Sequence, residues 1–311
     1  MEFHQIIEAF LACAGGDCGN FNSILDLLAN ALVAGLLLGG FYAAVTVGVT
    51  ISFGMLDIVN IAHPAFIMLG AFVAYFVNQT FGVDPIVIGV AFTPVFFVLG
   101  MAIYRIYYTS FEKRGQESIR GLAFFFGVLF IGEVALILTF GVDYRSVDAG
   151  YIGTSVNLGV VGLPMRLFVP FVVSMTMMVL LELFLGRTFF GRAIKAVSQD
   201  RLALQLMAAD PAHIKELAFG LSIATASVAG SLLIIIGPVE PSIGRDYIGR
   251  VFAICVLGGM SSVPGTVIAA IIIGVAESFT STFYGPSWSP AIAFGLLLLV
   301  LAVRPAGLLG R

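Results

Sequence analysis

Long apolar stretches follow one another along this chain and leave it too few polar residues to build a water-facing surface. Of its 311 residues, 59% are hydrophobic and only 11% are charged. Soluble domains carry about 25% charged residues, so the surroundings of most of this chain must be lipid. A bilayer core of roughly 30 Å requires about 20 apolar residues in helical form. Eight stretches of that length occur, near residues 24–52, 61–79, 85–107, 119–141, 164–185, 214–236, 263–280 and 287–303.

A further apolar stretch, residues 251–260, is too short to cross a bilayer upright and ends at Gly258 and Gly259. We expect a broken or re-entrant helix there, because membranes tolerate such a segment only where protein buries it or where it lines a cavity. The expected fold is an all-α integral membrane protein, a polytopic bundle of about eight full spans plus one short broken helix. Residues 1–23 are expected to form an extracytoplasmic N-terminal tail, and residues 24–311 a transmembrane domain.

The basic residues are unevenly distributed and predict an orientation. Eleven of the 15 Lys and Arg residues fall in the connections 104–120 and 186–216 and in the C-terminal tail. Cytoplasmic loops carry an excess of Lys and Arg, so these segments are expected to be cytoplasmic and the N-terminus to lie outside. With the N-terminus outside and the C-terminus in the cytoplasm, the chain must cross the membrane an odd number of times. Nine crossings result if residues 251–260 are counted as a broken crossing in addition to the eight spans.

Two of the three cysteines, Cys13 and Cys18, lie close together in the N-terminal tail. If the tail is extracytoplasmic, two hypotheses are open: a disulfide between them, or two unpaired small residues. We expect no zinc site, because His4 is the only imidazole nearby and the chain has no second Cys pair.

The sequence lacks the patterns of an enzyme that uses ATP, a nicotinamide or a zinc pair. None of its lysines follows a glycine, so the phosphate-binding loop Gly-x-x-x-x-Gly-Lys-Ser/Thr does not occur. Its histidines form no paired metal-binding motif, and its glycines lie within apolar spans rather than after a strand. We expect no bond chemistry, no metal and no cofactor in this chain.

The connection 186–216 has the features of a surface for a cytoplasmic partner. Asp200 is placed to cap a short helix over residues 201–209, on which apolar residues such as Leu206 share one face. Two hypotheses are open. The helix rests on anionic lipid, or it docks an ATPase, which a chain without a nucleotide site of its own would need.

The same connection, at about residues 187–213, resembles the ATPase-coupling loop of bacterial ABC importer permeases, and more narrowly those of branched-chain amino acid importers. The resemblance implies ATPase coupling through Gly191, Arg192, Ala193, Lys195, Asp200, Ala203 and Leu206. Further matches along this part of the chain are Ala196, Met207, Ala218, Phe219, Ala229 and Gly230. A departure is Ala208-Ala209, which replaces the family's Gly-Ile pair.

Two more stretches extend this resemblance, which covers the chain from about residue 28 to 306. The first has matches at Gly54, Leu56, Ile58, Asn60, Ala62, His63, Met68, Gly70 and Ala71. The second has matches at Gly258, Gly259, Met260, Gly265, Gly274 and Glu277. Asp57 and Pro64 stand where the family usually has glycines, and Glu133 where it tends to carry an amide.

Five residues are candidates for a substrate path. Asn60 and His63 interrupt an apolar stretch, and a helix broken there exposes polar groups to a solute. The alternative is that they satisfy backbone groups left open by the break, which we favour for His63 because a lone His is usually a packing residue. Glu133 is an ionisable group within a span and therefore a functional candidate. Gly258 and Gly259 mark the second break.

Two of the carboxylates within the spans, Glu133 and Glu277, leave alternatives open. Glu133 is expected to be protonated, paired with a residue of a partner subunit, or in contact with the substrate. Glu277, near the outer end of its span, is expected to face the translocation path or a neighbouring helix.

The resemblance implies a permease subunit of a binding-protein-dependent ABC importer in the bacterial inner membrane. Implied partners are a homologous second permease, two cytoplasmic ATPases that bind the ATP, and a periplasmic substrate-binding protein. The implied solute is small and polar or amphipathic, by default a branched-chain or other amino acid, moved by alternating access. The alternative is a stand-alone secondary transporter or channel, for which Glu133 and Asp57 are the only candidate coupling carboxylates.

Overall fold

A computed structural model describes residues 19–114, 118–158, 161–199, 210–304 and 306–310. The helices are α1 (Gly19–Val49), α2 (His63–Phe81), α3 (Pro85–Ser110), α4 (Ser118–Phe140), α5 (Met165–Arg187), α6 (Phe189–Gln199), α7 (Pro211–Ile236), α8 (Gly244–Gly258), α9 (Val263–Phe283) and α10 (Ser289–Val303). A π-helical segment, Thr50–Met55, continues α1. Two antiparallel strands, β1 (Ser155–Leu158) and β2 (Val161–Pro164), precede α5, with Ser155 opposite Pro164.

Each of the eight predicted spans corresponds to a helix that is long and apolar enough to cross a membrane. These candidate spans are Ile24–Met55, His63–Phe81, Pro85–Ser110, Ile119–Phe140, Met165–Arg187, Pro211–Ile236, Val263–Phe283 and Pro286–Val303. The prediction of an all-α polytopic membrane protein is confirmed. The orientation of its termini and the division at residue 23 stay predictions.

Two Asp-Pro pairs begin helices, as their chemistry predicts. Asp84 Oδ1 accepts a hydrogen bond from the backbone N–H of Ile86 at 2.8 Å at the start of α3. Asp210 Oδ1 accepts one from Ala212 at 2.9 Å at the start of α7. A carboxylate in this position satisfies one of the free N–H groups of the first turn, and the following proline has no N–H to leave unbonded.

Helix α7 lies at the centre of the bundle and packs against α1, α2 and α3, while α9 packs along α1. Glycines allow these close contacts. A Cβ on Gly220 would lie 3.0 Å from the Phe97 carbonyl oxygen of α3, and one on Gly274 only 2.5 Å from the Gly39 Cα of α1. Helices in lipid associate mainly through such close packing of small residues, so these glycines set the spacing of the helices.

The short helix α8 ends at Gly258, as predicted, but begins at Gly244, seven residues before the predicted stretch. Its 15 residues span about 22 Å, less than the thickness of a bilayer core. The C-terminal segment, residues 306–310, caps its end: the Leu308 N–H donates to the Leu257 carbonyl at 2.8 Å. This end of the bundle also holds α6 and the π-helical segment, and we call it the α6 end.

Candidate functional site

The break between α1 and α2 is a tight turn organised by Asn60. Its Oδ1 accepts a hydrogen bond from the backbone N–H of Ala62 at 3.1 Å, and its Nδ2 is buried with no hydrogen-bond partner among the residues the structure describes. Asp57 adopts a φ of 59°, in the left-handed region that glycine enters without strain. The turn therefore requires an unusual backbone angle at Asp57.

His63, the first residue of α2, is fully buried between α1 and α7. Its ring lies against Gly48, where an added Cβ would be 2.1 Å from His63 Cε1. The Gly48 carbonyl accepts hydrogen bonds from Ser222 Oγ at 2.7 Å and from Ser52 Oγ at 3.1 Å. His63 thus occupies a packed junction of three helices. Neither of its ring nitrogens makes a hydrogen bond to the described residues, so the expectation that it satisfies backbone groups at the break is not confirmed. Its place on a substrate path stays a prediction.

Glu133 forms an ion pair within this chain. Its Oε1 lies 2.9 Å from Nη2 of Arg245, in the first turn of α8, and its side chain is 10% exposed against 52% for the arginine. The sequence predicted protonation, substrate contact or a partner on another subunit, and did not identify Arg245. The ion pair connects α4 to the start of α8. The start of α8 also packs on α2, because a Cβ on Gly244 would lie 3.3 Å from the Pro64 carbonyl oxygen.

Gly258 and Gly259 lie at the opposite end of α8. Gly259 has a φ of 92°, and a Cβ on Gly258 would lie 2.6 Å from the backbone of Gly265 in α9. Both positions therefore need glycine, one for its backbone angle and one for close packing. The structure brings the starts of α2 and α8 together with Glu133, and it places the Gly258–Gly259 break apart from them, at the α6 end.

A cluster that the sequence did not predict surrounds Glu277, which is 3% exposed. The Tyr42 hydroxyl donates to Glu277 Oε2 at 2.7 Å, and Arg250 Nε donates to Oε1 at 2.8 Å. The Arg250 guanidinium also lies over the rings of Tyr42 and Tyr247, at 5.1 and 5.3 Å from their centroids. The sequence contains one sign of this cluster: Tyr247 and Arg250 are three residues apart, so in a helix they lie on the same face.

Helix α6 is fixed to the α6 end by one face and exposes the other. Ile194 and Val197 are buried, and Lys195 Nζ lies 3.2 Å from Glu182 Oε1 of α5. Gly191 packs so closely on α5 that a Cβ would lie 2.3 Å from the Phe184 carbonyl oxygen. The polar face exposes Arg192.

The neighbours of α6 are the ends of α5 and α7 and the π-helical continuation of α1. Ala193, another residue of the predicted coupling set, is half-buried on it. Asp200, Ala203 and Leu206 lie outside the described residues, as does the predicted helix over 201–209.

Metal-binding chemistry is not apparent in the part of the chain that the structure describes, where no three His, Cys, Asp or Glu side chains come together. Cys255 is buried in α8 as a free thiol. Cys13 and Cys18 lie outside the described residues, so both hypotheses about them stay open.

Comparison with known proteins identifies the family. A protein-family model described as "Branched-chain amino acid transport system / permease component" matches residues 31–301 of this chain. The high-affinity branched-chain amino acid transport system permease protein BraD of Pseudomonas aeruginosa is 32% identical over 294 residues, 90% of this chain and 95% of BraD. Its Escherichia coli K12 counterpart LivH is 29% identical over 292 residues, 89% of this chain and 94% of LivH.

LivM of Escherichia coli K12, a second high-affinity branched-chain amino acid transport system permease protein, is similar to this chain over a shorter region. It is 36% identical over 139 residues, which are 43% of this chain and 32% of LivM. The family match and BraD both extend over most of the chain. The chain belongs to the family of permease components of branched-chain amino acid transport systems.

Proposed function

We propose that this chain is one permease subunit of an ATP-driven importer in the bacterial inner membrane. It forms part of the translocation path for a branched-chain amino acid or another small amphipathic solute. Membership of the permease family supports the transport role, and the eight apolar helices support a multi-pass membrane protein. The observation that carries the ATP-driven part is α6, an amphipathic helix with its apolar face on the bundle and Arg192 exposed.

The contacts of α6 explain how a cytoplasmic ATPase would move the spans. Gly191 and Lys195 hold α6 on α5, and α6 also contacts the π-helical end of α1. π-helical turns inside α-helices are uncommon and occur often at functional sites. A displacement of α6 would therefore reach the end of α1 and the turn around Asn60. Such rocking about a fixed path is alternating access.

The proposed path passes the junction of α2, α4 and α8, with Asn60, His63 and Glu133 near it, and the Gly258–Gly259 break. Bond chemistry has no part in this role, because the ATP is bound and hydrolysed by separate subunits. The ion pair with Arg245 also argues against Glu133 as an ion-coupling carboxylate. A coupling carboxylate has to release its partner to take up an ion, and burial makes an unpaired charge costly.

The proposed assembly contains a second, homologous permease, two cytoplasmic ATPases and a periplasmic binding protein. Similarity to both LivH and LivM supports the second permease, since these are two different permease proteins of one organism with the same system name. The binding protein would deliver solute at the end of the bundle opposite α6, and the ATPases would bind at the α6 end.

Co-purification tests this proposal. The tagged chain is extracted from membranes, and ATPase subunits and ATP hydrolysis are assayed in the eluate. We expect Arg192→Glu to remove most of the ATPase, because it reverses the charge on the exposed face of α6. The matched control is Arg304→Glu, an exposed residue just after α10 that changes the same charge outside the loop.

One outcome contradicts the coupling through α6, and another contradicts the importer. If both variants retain ATPase as wild type does, Arg192 takes no part in the coupling. If wild type itself brings down no ATPase, the importer is contradicted. A stand-alone secondary transporter or channel would then be favoured, and uptake of labelled leucine, isoleucine and valine would be measured against ion gradients instead of ATP.

A further inference from the structure

A cavity of about 350 Å³ lies at the end of the bundle opposite α6. Helices α1, α8 and α9 line it, together with the start of α5 and the turn between α9 and α10. Small-molecule sites in proteins have volumes of roughly 300–1,000 Å³ and combine apolar walls with a few placed polar groups. This cavity combines both kinds of residue. Its charged and phenolic groups are Tyr42, Arg250 and Glu277, and its apolar residues are Ala34, Leu38, Leu167 and Pro286. Four hydroxyl side chains complete the lining, those of Ser278, Ser281, Thr282 and Ser289.

The hydrogen bonds of this cluster leave the end of Arg250 available. Both carboxylate oxygens of Glu277 are already bonded, one to Tyr42 and one to Arg250 Nε. Within the described part of the chain, no group accepts a hydrogen bond from Nη1 or Nη2 of Arg250, although these atoms carry four N–H donors. The rings of Tyr42 and Tyr247 lie within 5.3 Å of the guanidinium carbon and hold its orientation.

A guanidinium held with its terminal nitrogens free fits a carboxylate, which it binds through two parallel hydrogen bonds. The charges of the cluster narrow the ligand further. Arg250 and Glu277 together sum to zero, so a net-neutral zwitterion is favoured over a free anion: its carboxylate is attracted by Arg250 and its ammonium by Glu277. The apolar lining residues provide contacts for an aliphatic side chain.

We propose that this cavity binds an aliphatic α-amino acid as its zwitterion, with the carboxylate on Nη1 and Nη2 of Arg250. The inference rests on the proposed function, because it makes the cavity the place where solute first meets this subunit. Arg250 is the ligand-contacting residue. Tyr42 and Glu277 are positioning residues that fix its plane.

Binding of tritiated L-leucine tests the site. The full chain, with the subunits that co-purify, is placed in lipid nanodiscs without a soluble binding protein. Arg250→Lys keeps the positive charge beside Glu277 but removes the planar guanidinium, whose paired N–H groups bind a carboxylate. We expect it to weaken L-leucine binding about tenfold or more. The control Arg166→Met removes an exposed arginine in the first turn of α5, beside Leu167, and is expected to leave binding within about twofold of wild type.

Competition on the wild-type protein gives a second measurement that needs no variant to fold. L-leucinamide lacks the carboxylate and 4-methylpentanoate lacks the ammonium, so both are expected to compete at least about tenfold more weakly than L-leucine. The proposal is overturned if wild type shows no saturable binding, if Arg250→Lys binds as wild type does, or if L-leucinamide competes equally well.

The same preparations separate this site from the importer. Co-purified ATPase is scored alongside leucine binding. Retained ATPase with binding that does not depend on Arg250 refutes the site alone. Absent ATPase with binding that does depend on Arg250 refutes the importer and leaves the site standing.

Discussion

A buried ion pair at the α6 end connects the start of α7 to the turn after α3. Lys215, in α7, is almost fully buried, at 3% side-chain exposure, against Glu112, at 9%, in the turn after α3. The Tyr104 hydroxyl donates to the other oxygen of Glu112 at 2.9 Å. We expect Lys215→Met to lower the free energy of unfolding by about 3–5 kcal/mol, because it leaves the Glu112 carboxylate buried and without its partner. Thermal unfolding of the purified protein in detergent measures this loss.

A double variant shows whether the loss comes from the unpaired charge. Lys215→Met combined with Glu112→Gln is expected to recover most of the stability, since the buried charge is gone. Lys113→Met, an exposed lysine next to Glu112, should change stability by less than about 0.5 kcal/mol. Equal losses in the single and double variants would mean that packing of the Lys215 stem, and not the charge pair, stabilises this contact.

Among the elements, the long spans could be predicted from sequence and the start of α8 could not. Length and apolarity suffice for a span because lipid is the only solvent that such a stretch tolerates. The first turns of α8 contain Arg245, Asp246 and Arg250 and look like a loop. Their partners, Glu133 and Glu277, lie on other helices, and contacts across the fold leave no pattern in the local sequence.

The packing of α1 on α9 gives a prediction at the scale of elements. A Cβ on Gly39 would lie 2.6 Å from the Ile271 Cα, so Gly39→Ala must push two backbones apart. We expect a cost of about 1–3 kcal/mol, seen as a lower midpoint of thermal unfolding. Gly127→Ala in α4 is the matched control. Its Cβ would meet no atom within 4 Å, so helix propensity alone should stabilise it by up to about 1 kcal/mol. Equal midpoints of thermal unfolding for Gly39→Ala and Gly127→Ala would contradict this prediction and would mean that α1 and α9 can move apart at little cost.

For the whole molecule, the site could be predicted only in part. The family motifs marked the turn at Asn60 and the break at Gly258, because each depends on residues close together in the sequence. They did not predict α6 as a helix, and the helix expected over 201–209 lies outside the described residues. The Arg250 cluster joins α1, α8 and α9, and its open guanidinium appears only once the three helices are packed. Local signals therefore predict breaks and surfaces, and the assembled bundle adds the charge pairs.

Orientation is the property of the whole molecule on which both proposals depend. The uneven distribution of Lys and Arg predicts that the α6 end lies in the cytoplasm, and the cavity beside Arg250 would then open toward the outside. A membrane-impermeant thiol reagent tests this in a background with all three native cysteines replaced. We expect Ser198→Cys, exposed on α6, to react only in inverted vesicles. Thr154→Cys, exposed between α4 and α5, should react in intact cells. The reverse pattern would put α6 outside, where no ATP-dependent partner could reach it, and would contradict the importer.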